Sequence, residues 1–295
     1  MKEVVAMKVL GLIGSARKLG NTEIMVKECI TPILEQGHEV SLIRLTDLNV
    51  KPCKGCMKCV FRSEKCLIED DMAFLVNVVS ECDILIAGAP TYLLGPSGII
   101  KTVTDRFFST IGNERSKLMK KRAATIAVAG VRGWDSFALP QLNILPLSLG
   151  FDLIGSILIH APGPGEVLLD SKAVNKAHLL GEKLLRNDQN ERPFLQPESP
   201  YCPICRGSIF RITARDRLEC PCCALKGTLK EDADGRPFFL PDDAAGHRWT
   251  DEAIKAHVEG WIKGTEGSFK ERMKSIFKLR KPYSRMEHLW LSKDR

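Results

Sequence analysis

Nine of the eleven cysteines in this 295-residue chain fall in two short segments. The first segment has the pattern C-x2-C-x2-C-x6-C and contains Cys53, Cys56, Cys59 and Cys66. Three thiolates this close in sequence can face inward from one tight loop, and a fourth can close the site. Ligation by thiolates alone suits an iron–sulfur cluster. Zinc also fits two spaced pairs, and an unmetallated loop is a third alternative, but the triplet favours [4Fe–4S].

The second segment contains two cysteine pairs that are separated by fourteen residues, Cys202 with Cys205 and Cys220 with Cys223. Each pair predicts a metal-binding knuckle, and a short hairpin is expected between them. This spacing is typical of a structural four-cysteine zinc site. A single iron of the rubredoxin type is the alternative, although the short loop and Arg206, which stands where a glycine is usual, favour a zinc ribbon. Cys222 could replace Cys223 as a ligand.

A third chemical signal is the segment from Gly14 to Thr22, which follows a predicted strand and precedes a predicted helix. The start of a helix offers unpaired backbone N–H groups and a partial positive charge, which suit a phosphate. The candidate phosphate-binding residues are Ser15, Arg17, Gly20, Asn21 and Thr22. The segment matches neither a Walker loop nor the dinucleotide fingerprint. An ordinary strand-to-helix turn is the alternative interpretation.

Two further loops follow the third and fourth predicted strands. Ligands of open α/β sheets bind beyond the carboxyl ends of the strands. The first loop offers Pro90, Thr91, Tyr92 and Leu93 as a flat wall for an isoalloxazine ring, and the second offers Gly130 and Arg132. Plain connecting turns are the alternative for both loops.

The elements that must position these residues alternate between β-rich and amphipathic helical runs, which predicts an α/β fold with a parallel sheet covered on both faces. Strands are predicted at 7–13, 38–45, 83–88, 123–130 and 152–160, and helices at 22–36, 70–81, 97–111, 135–149 and 170–186. Residues 1–186 therefore form the predicted main domain, which carries the cysteine loop 53–66. A linker at 187–200, a metal module at 201–235 and a basic, mainly helical tail at 236–295 are expected to follow.

The tail is basic, with eight basic and two acidic residues between Lys263 and Arg285. Phe269, Met273, Ile276 and Phe277 share one helical face. We expect this face to pack on the protein itself, and contact with a membrane or a partner is the alternative.

Composition narrows the class of protein. The chain has 44% hydrophobic residues and a net charge of +7, and it contains no apolar run long enough to predict a membrane-spanning helix. The charged N-terminus does not resemble a signal peptide, and clustered cysteines are typical of a reducing compartment, so a cytoplasmic protein is expected. The moderate charge does not indicate nucleic-acid binding, and we do not expect it for this chain. The isolated Cys29 and Cys82 are predicted to be buried structural thiols.

The segments GSARKLGNT and PTYLLGPSGIIKTVTDRF resemble those of the NAD(P)H-dependent FMN reductase group of flavodoxin-like proteins, over about residues 7–185. The cysteine loop resembles that of the iron–sulfur flavoproteins of anaerobes. The resemblance implies the strand order 2-1-3-4-5, with FMN phosphate at Ser15, Arg17, Asn21 and Thr22 and the flavin along Pro90–Leu93. It also implies a cluster in the cysteine loop and a homodimer or homotetramer. Ala16 stands where relatives often have proline.

These features predict an oxidoreductase that depends on FMN and a [4Fe–4S] cluster, with zinc in the second cysteine site. The cofactors carry the chemistry, so no catalytic side-chain set is expected. NAD(P)H or ferredoxin is the expected electron donor, and a quinone, oxygen or a small organic molecule is the expected acceptor. The alternative is a redox- or iron-sensing regulatory protein that binds nucleic acid or a partner through the ribbon and tail.

Overall fold

The computed structural model describes residues 6–62, 65–107, 115–186, 200–243 and 246–284. Its main sheet has five parallel strands and one short antiparallel strand. In chain order these are β1 Lys8–Ile13, β2 Glu39–Arg44, β3 Ile84–Tyr92, β4 Gly95–Pro96, β5 Arg122–Ala129 and β6 Asp152–His160. The parallel strands lie in the order β2-β1-β3-β5-β6, and β4 pairs with the end of β3. The predicted flavodoxin-like order is therefore confirmed.

Helices cover both faces of this sheet. They are α1 Asn21–Glu35, α2 Lys58–Phe61, α3 Met72–Glu81, α4 Gly98–Arg106, α5 Arg115–Leu118, α6 Ala138–Leu149 and α7 Ser171–Leu185. Leu10 and Leu12 of β1 pack with α3, α4 and α6, whereas Val9 and Ile13 pack with α1 and α7. Because both faces are covered there, the central strands β1, β3 and β5 are nearly continuous apolar runs. The isolated Cys29 and Cys82 are buried in these two cores, as predicted.

The second cysteine segment belongs to a four-stranded antiparallel sheet. Its strands are β7 Arg211–Ile212, β8 Arg217–Glu219, β9 Lys226–Glu231 and β10 Pro237–Pro241, in the order β10-β9-β8-β7. The predicted hairpin is β7–β8, and the sheet continues to Pro241, beyond the predicted module of 201–235. We call this sheet and its two knuckles the ribbon. The ribbon buries apolar side chains against Leu147 of α6 and Leu153 of β6.

The tail begins with α8 Asp251–Lys255, continues as a π-helix over Ala256–Ile262 and ends, in the described part, with α9 Gly264–Ser284. Val258 and Ile262 are buried against Val60 of the cysteine loop, so the first half of the tail covers this loop. No residue of α9 is buried, so the expectation that its apolar face packs on the protein is wrong for the described residues. The reason is that basic residues flank the apolar stripe and leave it narrow.

Among the described residues, no helix is both long and apolar enough to cross a membrane.

Candidate flavin site and cysteine centres

The loops that follow β1 and β3 meet at the carboxyl edge of the sheet. The backbone N–H of Gly14 donates to the carbonyl oxygen of Gly88 at 2.8 Å. The hydroxyl of Ser97, which precedes α4, donates to the carbonyl oxygen of Gly14 at 2.6 Å. The structure therefore brings together the phosphate-loop and flavin-wall candidates that the sequence places about 70 residues apart.

The phosphate loop ends at Gly20, which is the N-cap of α1 and provides no side chain to cap the helix. The first amides of α1 are thus available to an anion. Ser15 is buried, and its hydroxyl accepts a hydrogen bond from the backbone of Arg17, whose side chain is exposed. Thr22 is buried in the first turn. This geometry suits a phosphate that is bound mainly by backbone donors.

Asn21 has a different role from the one that its sequence position indicates. Its side-chain amide donates to the carbonyl oxygens of Ala161 at 3.1 Å and Gly163 at 2.8 Å. Its side-chain oxygen accepts from the backbone N–H of Val167 at 3.3 Å. The Asn21 side chain therefore fixes the loop after β6 to the start of α1. Only the backbone N–H of Asn21 remains available for the predicted anion binding.

An ion pair between Arg44 and Glu23 holds the phosphate loop in place, and the sequence did not indicate it. Arg44, the last residue of β2, donates to the carbonyl oxygens of Ser15 at 2.9 Å and Arg17 at 3.1 Å, and to the carboxylate of Glu23 at 2.6 Å. Burial alone would raise the pKa of Glu23, but hydrogen bonds from Arg44, Lys27 and the backbone of Leu19 outweigh it and lower the pKa to about 2. The carboxylate is therefore charged and fixed at neutral pH.

The predicted flavin wall lies at the end of β3. Thr91 pairs with Pro96 in the short antiparallel ladder, and Leu93 and Leu94 form its tight turn with φ values of 47° and 73°. Such turns usually contain asparagine or glycine, and leucine in the left-handed region is strained there. Tyr92 and Leu93 are 55% and 91% exposed.

The hydroxyl of Thr91 is buried and has no hydrogen-bond partner among the described residues. Buried hydroxyl groups normally have a partner, and a polar atom of a bound ring system is one group that can provide it. An exposed apolar wall beside an unpartnered hydroxyl therefore fits an isoalloxazine ring.

The loop after β5 contributes an open surface on the other side. Gly130 and Arg132 are both exposed, as are the apolar side chains of Val131 and Trp134. Asp135 of this loop pairs with His160, the last residue of β6, at 2.5 Å. This pair fixes the loop to the sheet edge, and no sequence spacing indicated it, because one partner lies in a loop and the other at the end of a strand 25 residues later.

The cysteine loop presents four thiols to one small pocket. Cys53 and Cys56 are exposed, whereas Cys59 and Cys66 are partly buried, and all four line the pocket together with Asp105 and Arg106 of α4. Burial, and then the neighbouring thiols of the same loop, raise the pKa of Cys59. Among the described residues these sulfur atoms do not form a group as close as the second cysteine segment does.

A second buried ion pair closes the base of this loop. The guanidinium of Arg106 pairs with the carboxylate of Asp70 and also donates to the carbonyl oxygen of Lys51 at 2.7 Å. It lies 3.5 Å from the sulfur of Cys66. The ion pair with Asp70 raises the pKa of Arg106, and burial lowers it. The effect of Asp70 is the larger one, so the pKa of Arg106 is raised. Arg106 therefore holds the chain entering and leaving the loop and places a fixed positive charge beside one thiol.

The second cysteine segment forms a closed four-thiol site. The sulfur atoms of Cys202, Cys205, Cys220 and Cys223 lie within 4.8 Å of one another, and all four residues are buried. Two of the sulfur–sulfur distances are 3.2 and 3.3 Å. Tetrahedral zinc with bonds of about 2.3 Å would separate its ligands by about 3.8 Å, which these thiols can reach by small movements. The residues present therefore fit a single tetrahedral ion.

The structure brings Cys223, and not Cys222, into this four-thiol site. Cys222 is partly buried and its sulfur faces the carbonyl oxygen of Pro140 in α6. The ribbon is joined to the main domain by Asn143, whose side-chain amide donates to the carbonyl oxygen of Cys205 at 2.6 Å. Asn143 is fully buried and its side-chain oxygen accepts from the hydroxyl of Thr125 on β5.

The fold and the sheet-edge loops define a flavodoxin-like oxidoreductase domain. The sequence profile described as NADPH-dependent FMN reductase matches residues 7–160. The chain belongs to this family of FMN-dependent oxidoreductases.

Similar proteins fall into two groups. An iron–sulfur flavoprotein of Methanocaldococcus jannaschii is 32% identical over 193 residues, which cover 60% of this chain and 95% of that protein. A flavone synthase of Aspergillus candidus is 26% identical over 272 residues, which cover 80% of this chain and 82% of that protein. The solved structure of a flavone reductase has a TM-score of 0.71 at 20% identity and covers 95% of this chain and 98% of its own. The last comparison shows that the fold of nearly the whole chain, including the ribbon and tail, has a precedent.

Proposed function

We propose that this chain is an electron-transferring oxidoreductase that holds FMN at the sheet edge and a [4Fe–4S] cluster in the cysteine loop. The FMN-binding residues would be Ser15, Arg17, Gly20, Asn21, Thr22, Pro90, Thr91, Tyr92, Leu93, Gly130 and Arg132. The cluster ligands would be Cys53, Cys56, Cys59 and Cys66. FMN exchanges two electrons with a nicotinamide and can release them singly, which matches the one-electron capacity of a cluster.

The observation that carries the proposal is the position of α4 between the two candidate sites. Its N-terminal end is tied to the phosphate loop through Ser97, and its last residues, Asp105 and Arg106, line the cysteine pocket. A helix of nine residues is about 13 Å long. One element thus connects the two candidate sites, and a positive charge at Arg106 would stabilise the reduced form of a thiolate-ligated cluster.

The remaining parts of the proposal are the donor, the second metal and the assembly. The family description supports NADPH as electron donor. Four buried thiols with no open ligand position support a structural zinc ion on Cys202, Cys205, Cys220 and Cys223. We further propose that the protein is a homo-oligomer in the cytoplasm. Size-exclusion chromatography with light scattering tests the oligomeric state, and we expect a mass of at least two chains.

The acceptor that we favour is a small planar organic molecule. The flavone reductase and flavone synthase that this chain resembles are similar to it over most of its length, including the region after the main domain. The iron–sulfur flavoprotein covers only 60% of the chain. The ribbon and tail are therefore associated with relatives that are named for a planar aromatic compound.

Anaerobic purification followed by quantification of FMN, iron, sulfide and zinc tests this proposal directly. We expect about one FMN, four iron and one zinc per chain. Rapid mixing with NADPH should bleach the flavin absorbance first and the broad cluster absorbance afterwards. Folded protein that contains zinc but no iron would refute electron transfer through the cysteine loop. Protein that contains FMN and iron but is not reduced by NADPH or NADH would refute the donor.

A further inference from the structure

A large cavity lies between the cysteine loop, α4, α6, the ribbon and the tail. Its volume is about 820 Å³, which falls in the range of small-molecule sites. Residues from five parts of the chain line it, among them Met57, Ile144, Ala224, Trp249, Ile254 and His257. It therefore exists only when the ribbon and tail are folded against the main domain.

The cavity adjoins the pocket of the cysteine loop. Cys53, Met57 and Asp105 line both spaces. Cys53 and Cys56 are also the two exposed thiols of the loop. A molecule in the cavity would consequently lie in contact with one wall of the proposed cluster site, on the side that faces the ribbon and tail.

The surface of the cavity suits a flat apolar molecule that carries an anionic group. Most of the lining is apolar, and Trp249 offers an aromatic ring. Arg248 is exposed at the cavity, and none of the described carboxylates pairs with it. The backbone of Arg248 is nevertheless fixed, because its N–H donates to the carbonyl oxygen of Cys223 at 2.8 Å. The site thus has an exposed arginine at a mostly apolar wall, and the one carboxylate among its described lining residues, that of Asp105, pairs with Lys101.

Trp249 gives a second indication that the cavity binds a ligand. Its indole N–H is buried and has no acceptor among the described residues, although buried indole groups usually have one. Its backbone carbonyl accepts from Arg115, which also pairs with Asp251 at 3.1 Å and donates to the carbonyl oxygen of Ser148 at 2.7 Å. This network holds the tail segment against α6, so the cavity wall is preformed. An oxygen atom of a ligand is one group that can satisfy the indole after a small ring movement.

We propose that this cavity binds a planar aromatic compound with an acidic hydroxyl group, of the hydroxyquinone class, as the electron acceptor. The inference rests on the proposed function and specifies its acceptor and where that acceptor binds. In the net reaction NADPH gives up two electrons and one proton, a second proton comes from solvent, and the quinone leaves as the hydroquinone. Arg248 pairs with the ionised hydroxyl, and the apolar walls enclose the rings.

The test is isothermal titration calorimetry of the anaerobically purified holoprotein with 2-hydroxy-1,4-naphthoquinone, which is anionic at neutral pH. The unsubstituted 1,4-naphthoquinone is the neutral control. The wild-type protein should prefer the hydroxylated compound. Arg248→Met should raise its Kd about tenfold, as expected for one lost charged hydrogen bond, and should abolish the preference. Arg280→Met removes an exposed arginine of α9 and should change neither Kd.

Ala253→Trp provides a second, independent variant, because it fills the cavity without changing its charge. It should weaken binding of both naphthoquinones by at least tenfold, while circular dichroism, FMN content and iron content stay as in the wild type. Unchanged affinities in both Arg248→Met and Ala253→Trp would refute the site. Arg248-dependent binding in anaerobically purified, FMN-containing protein that holds no iron would support the site, and the missing iron would refute the cluster proposal, so the two failures are distinguishable.

Discussion

Replacing Arg44 by methionine should loosen the phosphate loop and leave the buried carboxylate of Glu23 without its main partner, which should destabilise the protein. Arg44 donates to Ser15, Arg17 and Glu23, and its side chain is only 12% exposed. Methionine fills a similar volume without a charge. The Glu23 carboxylate, 7% exposed, would keep its contacts with Lys27 and the backbone of Leu19 but would lose its most buried partner.

The size of the effect follows from the pKa of Glu23. A decrease from 4.5 to about 2 corresponds to about 3 kcal/mol at 1.36 kcal/mol per pKa unit, shared among all its partners. If Arg44 provides about half of this, and its two bonds to the loop carbonyls add about 0.5 kcal/mol each, Arg44→Met should lower the free energy of unfolding by about 2–3 kcal/mol at pH 7. FMN should bind more weakly because the loop is less ordered.

The stability difference between wild type and Arg44→Met should depend on pH. The pKa of Glu23 is lower in the folded state, so its stabilising contribution is complete above about pH 4.5 and is lost as the pH falls towards 2. In Arg44→Met the folded-state pKa rises, because burial remains and the strongest hydrogen bond is gone. The difference between wild type and variant should therefore be largest at neutral pH and shrink as the pH falls from about 4.5 towards 2, where the carboxyl group of the folded wild type is protonated as well.

Urea unfolding followed by circular dichroism, at several pH values, measures the stability difference, and titration of the apoprotein with FMN measures its Kd. The double variant Glu23→Gln/Arg44→Met should recover at least 1 kcal/mol relative to the sum of the single variants. Lys8→Met breaks an exposed ion pair and should cost less than about 1 kcal/mol. If Arg44→Met costs no more than Lys8→Met, or the double variant shows no coupling, the buried pair does not brace this loop.

Three further predictions concern the cysteine centres. Cys56→Ala should remove the brown colour and the iron while FMN remains. Cys222 is half-buried and lies outside both proposed ligand sets, so Cys222→Ala should retain iron and zinc. Equal iron content in the two variants would contradict the assignment. Cys205→Ala should lose zinc, measured by mass spectrometry of the metals, and should expose the ribbon to proteolysis because metal binding supplies much of its folding free energy; a protease-resistant ribbon without zinc would contradict this. Asn143→Leu leaves the carbonyl oxygen of Cys205 without its buried donor and should lower the free energy of unfolding by about 1–3 kcal/mol without loss of zinc, measured by urea unfolding; an unchanged midpoint would show that this bond does not join the ribbon to the domain.

The main sheet and the positions of the loops could be predicted from the sequence because they depend on local patterns. Buried parallel strands produce apolar runs, and the predicted strands at 7–13 and 152–160 differ from β1 and β6 by at most one residue. Cysteine spacing likewise indicated the four-thiol site, since knuckle geometry depends on only a few residues. The choice of Cys223 over Cys222 required the structure, because it depends on which sulfur faces inward.

The supporting interactions could not be predicted, because their partners are distant in sequence. Arg44 and Glu23 lie on different elements, and Arg106 meets Asp70 across 36 residues. Asn21 showed the opposite difficulty: its position indicates an anion ligand, but its side chain is occupied by the loop after β6. The cavity beside the cysteine loop depends on contacts between residues about 200 apart, such as Val60 and Val258, for which the sequence carries no local signal.

The same long separation has a consequence for biosynthesis. The cysteine loop is translated first, and Val258, which covers it, follows 198 residues later. At about 5–20 residues per second, the ribosome needs about 10–40 s to add this stretch. During that interval the loop is on a nascent chain without the tail that covers it, so the proposed cluster would reach its cysteines before Val258 and Ile262 pack on Val60. Docking of the tail then buries Val60 while Cys53 and Cys56 stay exposed, so the order of synthesis leaves the whole loop accessible first and restricts only its Val60 side afterwards.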